Sequence, residues 1–326
     1  MLRWNCLDQI PKSFGPSVTS LGNYDGMHLG HQYLIEQVVE RARATGRASA
    51  VITFDPHPAT LHRPDEALVP IQSLQDRLEA MGAMGLDAVW VQPYTEEFAA
   101  LTAAQFVQQY LVDGLQATEV VVGHDVRFGA GNQGNLQTMQ ALGQELDFAV
   151  TAIDDQGDRE ERTVSRFSSS GVRASLAAGD VAHAAQILGR PHRVTGEVVY
   201  GDGRGHTLGF PTANLGGVMT GTVPADAVYA GWLIQLELPP DDADKVLPAA
   251  ISVGTNPTFG GRERRVEAFV PGRIDLKLYG QQVALDFVGR LRHTLEFSTT
   301  TALVMQMHDD AAASLRFLAL AGRQGG

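Results

Sequence analysis

The stretch SVTSLGNYDGMHLGHQYLIEQVVERARATG, residues 17–46, decides the fold that the sequence predicts. It opens with a short apolar run, SVTSLG, and closes with a helical pattern that ends on Gly46. Gly22 and Gly26 lie between the two, and glycine allows a tight turn after a strand. The stretch therefore predicts a strand, a turn and a helix in direct succession.

Apolar runs and helical patterns continue to alternate after this stretch. Apolar runs without polar alternation are typical of strands that helices cover on both faces, so they predict a parallel, doubly wound α/β sheet. Such sheets bind ligands beyond the carboxyl ends of their strands, where the turn after SVTSLG lies. The other predicted strands are 48–54, 88–94, 119–123 and 147–153, and the predicted helices are 31–46, 73–85 and 102–114.

The pattern changes after roughly residue 190. From there β-like segments of alternating polarity follow one another, separated by Gly and Pro and without helices between them. This predicts a closed or nearly closed antiparallel β-barrel, on which the last helical pattern, 300–322, is expected to pack. The acidic run PPDDADK, 239–245, is typical of a hairpin loop.

The chain has 326 residues, more than one hydrophobic core usually serves, so two domains are expected. Two short helical patterns, 168–180 and 181–193, are expected to connect the α/β region to the barrel. The predicted domains are residues 1–188, which include the connecting helices, and residues 189–326.

Charge and composition exclude several classes of function. A net charge of −12 repels a nucleic-acid backbone, whereas small phosphorylated ligands can still bind to local donors. The chain begins without a secretory signal and has no apolar run long enough to enter a membrane. The single cysteine, Cys6, agrees with a reducing cytoplasm. We expect a cytoplasmic protein without nucleic-acid or membrane partners. The sequence is compatible with a homo-oligomer.

Two histidines, His28 and His31, stand three residues apart where the first helix is expected to begin. This spacing places both imidazoles beside the unpaired N–H groups of a helix start, which bind anions such as phosphate. Metal ligation and core packing are the alternatives. A metal site would need ligands from distant parts of the chain, so phosphate binding is the favoured interpretation.

Further motifs point to a family. HLGH, 28–31, resembles the H-x-G-H signature of the nucleotidyltransferase superfamily, and SSSGVR, 168–173, resembles its partner motif I-S-S-T-x-x-R. Together with FDPHP, 54–58, and GHDVRFGAGNQGN, 123–135, they resemble the N-terminal module of the bacterial bifunctional riboflavin kinase and FAD synthetase family. The resemblance implies a Rossmann-like nucleotidyltransferase domain that transfers AMP from ATP to FMN, forming FAD and releasing pyrophosphate.

The resemblance also implies which residues contact these substrates. His28, His31 and Arg173 are predicted as catalytic donors to the phosphates, with further ATP contacts from Gly22, Asn23, Asp25, Gly26, Ser169 and Ser170. Asp125 and Phe128 match flavin-binding positions, with a turn cap and a core aromatic as their alternatives. Three positions depart from the family pattern: Ser170 replaces Thr, Val126 replaces Phe and Asn132 replaces Arg. The changes at Val126 and Asn132 bear on FMN binding.

A second cluster lies in GDGRGHTLGFPTANL, residues 201–215. Its glycines let the backbone approach a phosphate closely, and Gly203, Gly205 and Gly209 are predicted to do so. Thr212 and Asn214 offer a hydroxyl and a carbonyl oxygen, both hard ligands suited to Mg²⁺.

The second cluster resembles the riboflavin kinase module of the same family, together with GTNPTFGG, LYG and LRHTLEF further along the chain. The resemblance implies a six-stranded antiparallel barrel with a terminal helix that transfers the γ-phosphate of ATP to the 5′-hydroxyl of riboflavin. Glu267 matches the catalytic Glu, which accepts the proton of that alcohol. A strand glutamate paired with Arg264 or Arg265 is the alternative. Arg292 is predicted to lie at the flavin or the phosphate side of the site, and the alternative is an arginine on the protein surface.

The largest departure from the kinase pattern follows Glu267. Phe269 stands where the family has His, and Pro271-Gly272 interrupts the following run. We predict a bifunctional enzyme acting on riboflavin, FMN and ATP with Mg²⁺. An enzyme whose kinase is weak or lost and a non-catalytic flavin or nucleotide binder are the alternatives.

Overall fold

The computed structural model describes residues 1–62, 68–153, 167–201, 210–258 and 261–322, with the side chains of 255–258 and 261–263 left out. The chain forms two compact units, Met1–Ser168 and Ser169–Gly326. Across the described ranges, no helix combines the length and the apolar character that crossing a bilayer requires.

The first unit contains a parallel sheet of six strands: β1 Leu2–Trp4, β2 Ser17–Leu21, β3 Ala48–Asp55, β4 Ala88–Pro93, β5 Ala117–Gly123 and β6 Ala149–Ile153. Their order across the sheet is β1-β4-β3-β2-β5-β6. Strands β2 to β6 confirm the five predicted apolar runs. Strand β1 was not predicted, because a run of three residues is too short for its periodicity to be recognised.

Helices connect these strands: α1 Leu29–Thr45, α2 Pro58–His62, α3 Leu74–Ala83, α4 Glu96–Ala99, α5 Ala103–Phe106 and α6 Leu136–Leu146. Helix α1 confirms its prediction and ends at Gly46, whose φ of 65° is the left-handed cap that glycine adopts without steric cost. The predicted helix 102–114 begins as α5 but continues as a π-helix over Val107–Gly114. The wider turn places Gly114 against Trp90, where a Cβ would lie 2.9 Å from the indole.

Hydrophobic cores lie on both faces of the sheet. In β3 the neighbouring residues Val51 and Ile52 belong to different cores, and so do Val120 and Val121 in β5. Helices α1 and α3 cover one face, and α5 and α6 cover the other. Burial on both faces explains why these strands lack polar alternation.

The second unit begins with α7 Ser169–Ala177 and α8 Val181–Leu188, which confirm the two predicted connecting helices. A closed antiparallel barrel follows, in the order β10-β11-β8-β7-β12-β9, and then α9 Thr300–Ala321. Barrel and terminal helix confirm the predicted fold, and residues 239–245 join the paired strands β9 and β10 as a hairpin loop. The strands are β7 His192–Val199, β8 Thr212–Thr220, β9 Ala227–Gln235, β10 Val246–Thr258, β11 Gly261–Phe269 and β12 Gln282–His293.

The border between the compact units lies at Ser168, ahead of α7. Both α7 and α8 belong to the second unit, and α8 packs on β7 and β12. A compact unit and a functional module need not end at the same residue. The boundary between the two functional domains, at residues 188 and 189, therefore stays a prediction.

Candidate active sites

The turn after β2 has an unusual backbone. Tyr24 and Met27 have φ values of 50° and 45°, in the left-handed region that side chains other than glycine rarely adopt, and Gly26 has a φ of 85°. Tyr24 and Met27 are each only 1% exposed. Such conformations persist where the surrounding packing demands them, and they cluster at functional sites.

His28 and His31 lie together at the start of α1. His28 is the N-cap of the helix, and its Nδ1 accepts a hydrogen bond of 3.3 Å from the backbone N–H of His31. The two rings stack, with their centroids 3.6 Å apart. Gly30 leaves room for this arrangement, because a Cβ there would lie 3.3 Å from the His28 ring.

The protonation of this pair follows from its surroundings. Burial, with help from the charge of Arg77, lowers the pKa of His31 well below its usual value. His31 is therefore neutral at pH 7. Since Nδ1 of His28 accepts the cap bond, Nε2 carries the proton of its neutral ring and can donate. The pair presents hydrogen-bond donors rather than fixed charges.

The remaining predicted residues of this turn shape the loop. The backbone N–H of Ile71 donates to the Asp25 carboxylate at 2.9 Å, and Asp25 is buried. The Asn23 carbonyl accepts hydrogen bonds from Arg77 at 2.5 Å and from Thr53 Oγ1 at 3.2 Å. Contacts of Gly22, Asn23, Asp25 and Gly26 with ATP stay predictions.

Arg77, which anchors this loop, was not predicted from the sequence. It is a buried residue of α3 that also donates to the Phe54 carbonyl at 3.1 Å, so it links the turn after β2 to the end of β3. Burial lowers its pKa. The available signal was a charged residue among the apolar positions of the predicted helix 73–85.

The second motif forms the start of α7. The helix begins at Ser169, with Ser169 and Arg173 half-buried and Ser170 exposed. Val172 and Leu176 anchor this helix and are fully buried. The hydroxyls and the guanidinium thus lie around the first turn of a helix, where anions bind. Their contact with phosphates stays a prediction.

The predicted flavin residues of the first unit follow β5. Phe128 is 5% exposed and lies in the hydrophobic core, with its ring 6.0 Å from that of Phe106. Its backbone exchanges hydrogen bonds of 3.2 and 2.9 Å with Gly134. Asp125 is exposed in the turn after β5. The core placement matches the alternative for Phe128, and flavin binding by either residue stays a prediction.

The predicted kinase residues share one face of the barrel. In the register of β8 and β11, Glu267 lies directly opposite Asn214, and Phe269 lies opposite Thr212. Residues directly opposite in antiparallel strands point to the same side, so Thr212, Asn214 and Glu267 are neighbours. All three are half-buried, whereas Ala213, Leu215, Val266 and Ala268 between them are buried.

The oxygen atoms of this face suit a hard cation. The Asn214 Nδ2 donates to Thr212 Oγ1 and to the Thr212 carbonyl oxygen, at 3.2 Å each. A hydroxyl, an amide oxygen and a carboxylate form a donor set that Mg²⁺ accepts. Within the described ranges, no three His, Cys, Asp or Glu side chains gather as a metal site. Gly203, Gly205 and Gly209 lie outside the described residues.

Arg264 and Arg292 both have structural partners. Arg264, offered above as a partner of Glu267, donates to Asp226 at 2.7 Å. Arg292 forms a two-point ion pair with Asp310 of α9, at 2.8 and 2.6 Å, and both side chains are largely buried. This pair ties β12 to α9, and a flavin or phosphate contact of Arg292 stays a prediction.

An open cleft of about 120 Å³ adjoins Thr212. Most of the residues that line it are apolar, and several of them belong to the segment after β11. Phe269 packs on Phe210, with ring centroids 4.8 Å apart, and Phe210 contacts His308 of α9 at 4.6 Å. Phe269, at the position where the family pattern has His, therefore belongs to an aromatic cluster with Phe210 and His308.

Gly201→Ala is expected to lower the predicted riboflavin phosphorylation by about tenfold or more, since misplacing a positioned group by about 1 Å can cost on the order of 10²-fold. A Cβ at Gly201 would lie 2.7 Å from Asn214 Cγ, so the amide would have to move. Steady-state kinetics of the variant measure the effect. FMN adenylylation by the same protein is the control, and an unchanged kinase would contradict the placement of Asn214.

Known proteins resemble this chain along nearly its whole length. A family model for FAD synthetase matches residues 10–167, and one for riboflavin kinase matches residues 188–318. The bifunctional riboflavin kinase/FMN adenylyltransferase of Escherichia coli K12 is 32% identical over 314 residues, 96% of each chain. That of Bacillus subtilis 168 is 31% identical over 313 residues, 94% of each chain.

A solved structure shares the fold. The crystal structure of a protein from Streptococcus pneumoniae, described as a macrolide-efflux protein, has a TM-score of 0.84 and 27% identity to this chain. The alignment covers 96% of this chain and 98% of that one. By its sequence relatives and by both family models, the chain belongs to the family of bifunctional riboflavin kinase/FMN adenylyltransferases.

Proposed function

We propose that the chain performs the two reactions of its family at the two sites described above. Riboflavin is phosphorylated on the barrel, and FMN is adenylylated at the turn after β2. The observation that carries this proposal is the pairing of Glu267 with Asn214 beside Thr212, which brings a carboxylate, an amide and a hydroxyl together on one face of the barrel. The stacked histidines at the start of α1, where His28 is the N-cap, support the proposed adenylylation.

In the adenylylation, an oxygen of the FMN phosphate attacks the α-phosphorus of ATP, and pyrophosphate leaves. The attacking oxygen is already anionic at neutral pH, so the reaction needs alignment and charge stabilisation rather than a base. Neutral His28 and His31 suit this task as donors to phosphate oxygens. Arg173 supplies a fixed charge for the departing pyrophosphate, together with the hydroxyls of Ser169 and Ser170.

In the phosphorylation, the 5′-hydroxyl of riboflavin attacks the γ-phosphorus of ATP. An alcohol is a weak nucleophile at neutral pH, and the Glu267 carboxylate accepts its proton as the bond to phosphorus forms. Thr212 and Asn214 would hold Mg²⁺, which, when bound, neutralises charge on the β- and γ-phosphates. ADP then leaves.

The direct test incubates the purified protein with riboflavin, ATP and Mg²⁺ and separates the flavins by chromatography. We expect FMN first and FAD afterwards. Formation of FAD from added FMN, without formation of FMN from riboflavin, would favour the alternative of a lost kinase. Formation of neither product would reject both reactions.

Thr212→Val is expected to raise the Mg²⁺ concentration that gives half-maximal kinase activity by about tenfold, because a change beside a metal typically costs 10- to 100-fold in affinity. Thr212→Ser keeps the hydroxyl and is the matched control. Titration of kinase activity with Mg²⁺ at saturating ATP measures both variants. Equal requirements in the two variants would count against Thr212 as a ligand.

We also propose that the enzyme works in the cytoplasm, since Cys6 is exposed and free and thiols persist in a reducing compartment. Self-association is open to measurement by light scattering on the intact chain.

A further inference from the structure

One wall of the cleft beside Thr212 is a segment outside the strands. Residues 270–279 lie between β11 and β12 and line the cleft at several points, so we call this segment the wall. Backbone hydrogen bonds hold the two ends of this connection, from Arg273 to Val270 at 3.3 Å and from Gly280 to Val198 at 2.8 Å. At the middle of the wall Ile274 is 80% exposed. The middle therefore depends on side-chain bonds for its position.

Arg273 makes those bonds. Its Nη1 and Nη2 donate to the two carboxylate oxygens of Asp244 at 2.6 and 2.8 Å. Its Nε and Nη2 donate to Asp275 at 2.8 Å each. Asp275 belongs to the wall itself, whereas Asp244 lies in the loop between β9 and β10. The bond to Asp244 therefore ties the wall to another part of the barrel.

The loop that carries Asp244 is itself fixed. Gln235 Nε2 donates to the Asp244 carbonyl at 2.8 Å, and the Asp244 N–H donates to Asp242 Oδ1 at 2.8 Å. The Arg273 guanidinium lowers the pKa of Asp244 and lowers that of Asp275 to about 2, so both carboxylates are ionised near neutral pH. A two-point bond between a planar guanidinium and a carboxylate fixes direction as well as distance.

We propose that Arg273 is a positioning residue of the riboflavin kinase reaction, which through Asp244 holds the wall in place against a substrate's fused aromatic ring. This inference rests on the proposed kinase site. The lining of the cleft combines apolar side chains with polar groups such as Thr212 and Arg273, which suits a flat ring with a phosphate or hydroxyl chain directed at Thr212. Both substrates carry such a ring, adenine in ATP and isoalloxazine in riboflavin.

The bond between Arg273 and Asp244 also explains how this chain tolerates its departure from the family pattern after Glu267. Pro271 and Gly272 replace a continuous run, and Gly272 turns the chain with a φ of 79°. A wall that turns away from strand pairing needs another anchor, and Arg273 follows the turn directly. The altered segment is thereby compatible with an active kinase.

The experiment measures kcat and both KM values of the kinase in single variants of the full chain. Arg273→Ala and Asp244→Ala are each expected to raise the KM for ATP or for riboflavin by about tenfold, with kcat changed by less than about threefold, because Glu267 and Thr212 lie on strands that keep their pairing. Which KM rises identifies the ring in the cleft. Arg273→Lys keeps the charge but not the planar fork, so an intermediate KM is expected.

Asp275→Ala is the matched control, since it removes an equal charge from the same guanidinium but leaves the wall tied to Asp244. We expect both of its KM values to stay within about twofold of the wild type. FMN adenylylation, whose predicted residues lie outside the wall, reports in every variant that the protein is folded. The double variant Arg273→Ala/Asp244→Ala should be no worse than either single variant, because both remove the same bond.

Unchanged KM values in Asp244→Ala would overturn the inference, as would an equal rise in Asp275→Ala or additive losses in the double variant. The catalytic assignment is tested separately by Glu267→Gln. If that variant kept full kinase activity while Asp244→Ala still raised a KM, the role of Glu267 would fail and the role of Arg273 would stand.

Discussion

Riboflavin phosphorylation by the Glu267→Gln variant is expected to fall by about 10²- to 10⁴-fold in kcat, the range that a positioned general base contributes. Glutamine has nearly the same shape but accepts no proton from the 5′-hydroxyl at neutral pH. The backbone pairing of Glu267 with Asn214 and Ser252 does not involve its side chain, so the barrel should fold normally. The assay is FMN formation from riboflavin and ATP at saturating Mg²⁺.

A second strand glutamate provides the control. Glu197 is an exposed residue of β7, opposite Gln282 of β12. Glu197→Gln removes the same charge from the same barrel and should leave kcat unchanged. FMN adenylylation should persist in both variants. A comparable loss of FMN formation in Glu197→Gln would mean that net charge, rather than proton transfer, explains the effect.

FAD formation by the His28→Ala variant is expected to fall by about 10²-fold or more in kcat, since removing one donor to a charged transition state typically costs 10²–10³. The structure adds a second consequence. The variant also loses the N-cap of α1, at a cost of about 1 kcal/mol in unfolding free energy. FMN formation by the barrel should be spared.

His28→Ser separates the two roles of this residue. Serine caps helices well, so the unfolding free energy should recover, but it lacks the imidazole N–H that is proposed to donate to phosphate. We expect its adenylylation to stay as low as that of His28→Ala. Denaturant unfolding and FAD formation from FMN are the two measurements. Recovery of FAD formation in His28→Ser would show that the histidine acts only by shaping the start of α1.

The architecture was largely predictable because it follows from local patterns. Apolar runs such as 48–54 and 119–123 became strands buried on both faces, and the alternating segments after residue 190 became the barrel. The short edge strand β1 and the π-helical turn at Val107–Gly114 were missed. The first is too short to show a period, and the second depends on the fit of Gly114 against Trp90.

The candidate sites were predictable in their residue types and less so in their contacts. The motifs placed His28 at a helix start and Thr212 near Asn214, as the structure has them. They did not reveal Arg77, which reaches the Asn23 carbonyl from a helix more than fifty positions away. A charged residue in a helical pattern carries no information about which distant carbonyl it will bind.

By itself the sequence determined the order of the elements, the two modules and the groups available for phosphate chemistry, because hydrophobic period and motif spacing are properties of neighbouring residues. Only the tertiary structure decided how those groups are used. It commits Nδ1 of His28 to capping α1, pairs Arg292 with Asp310 and ties Arg273 to Asp244. Packing, strand register and chain closure bring such atoms within hydrogen-bonding distance, and these depend on the whole fold rather than on any local pattern.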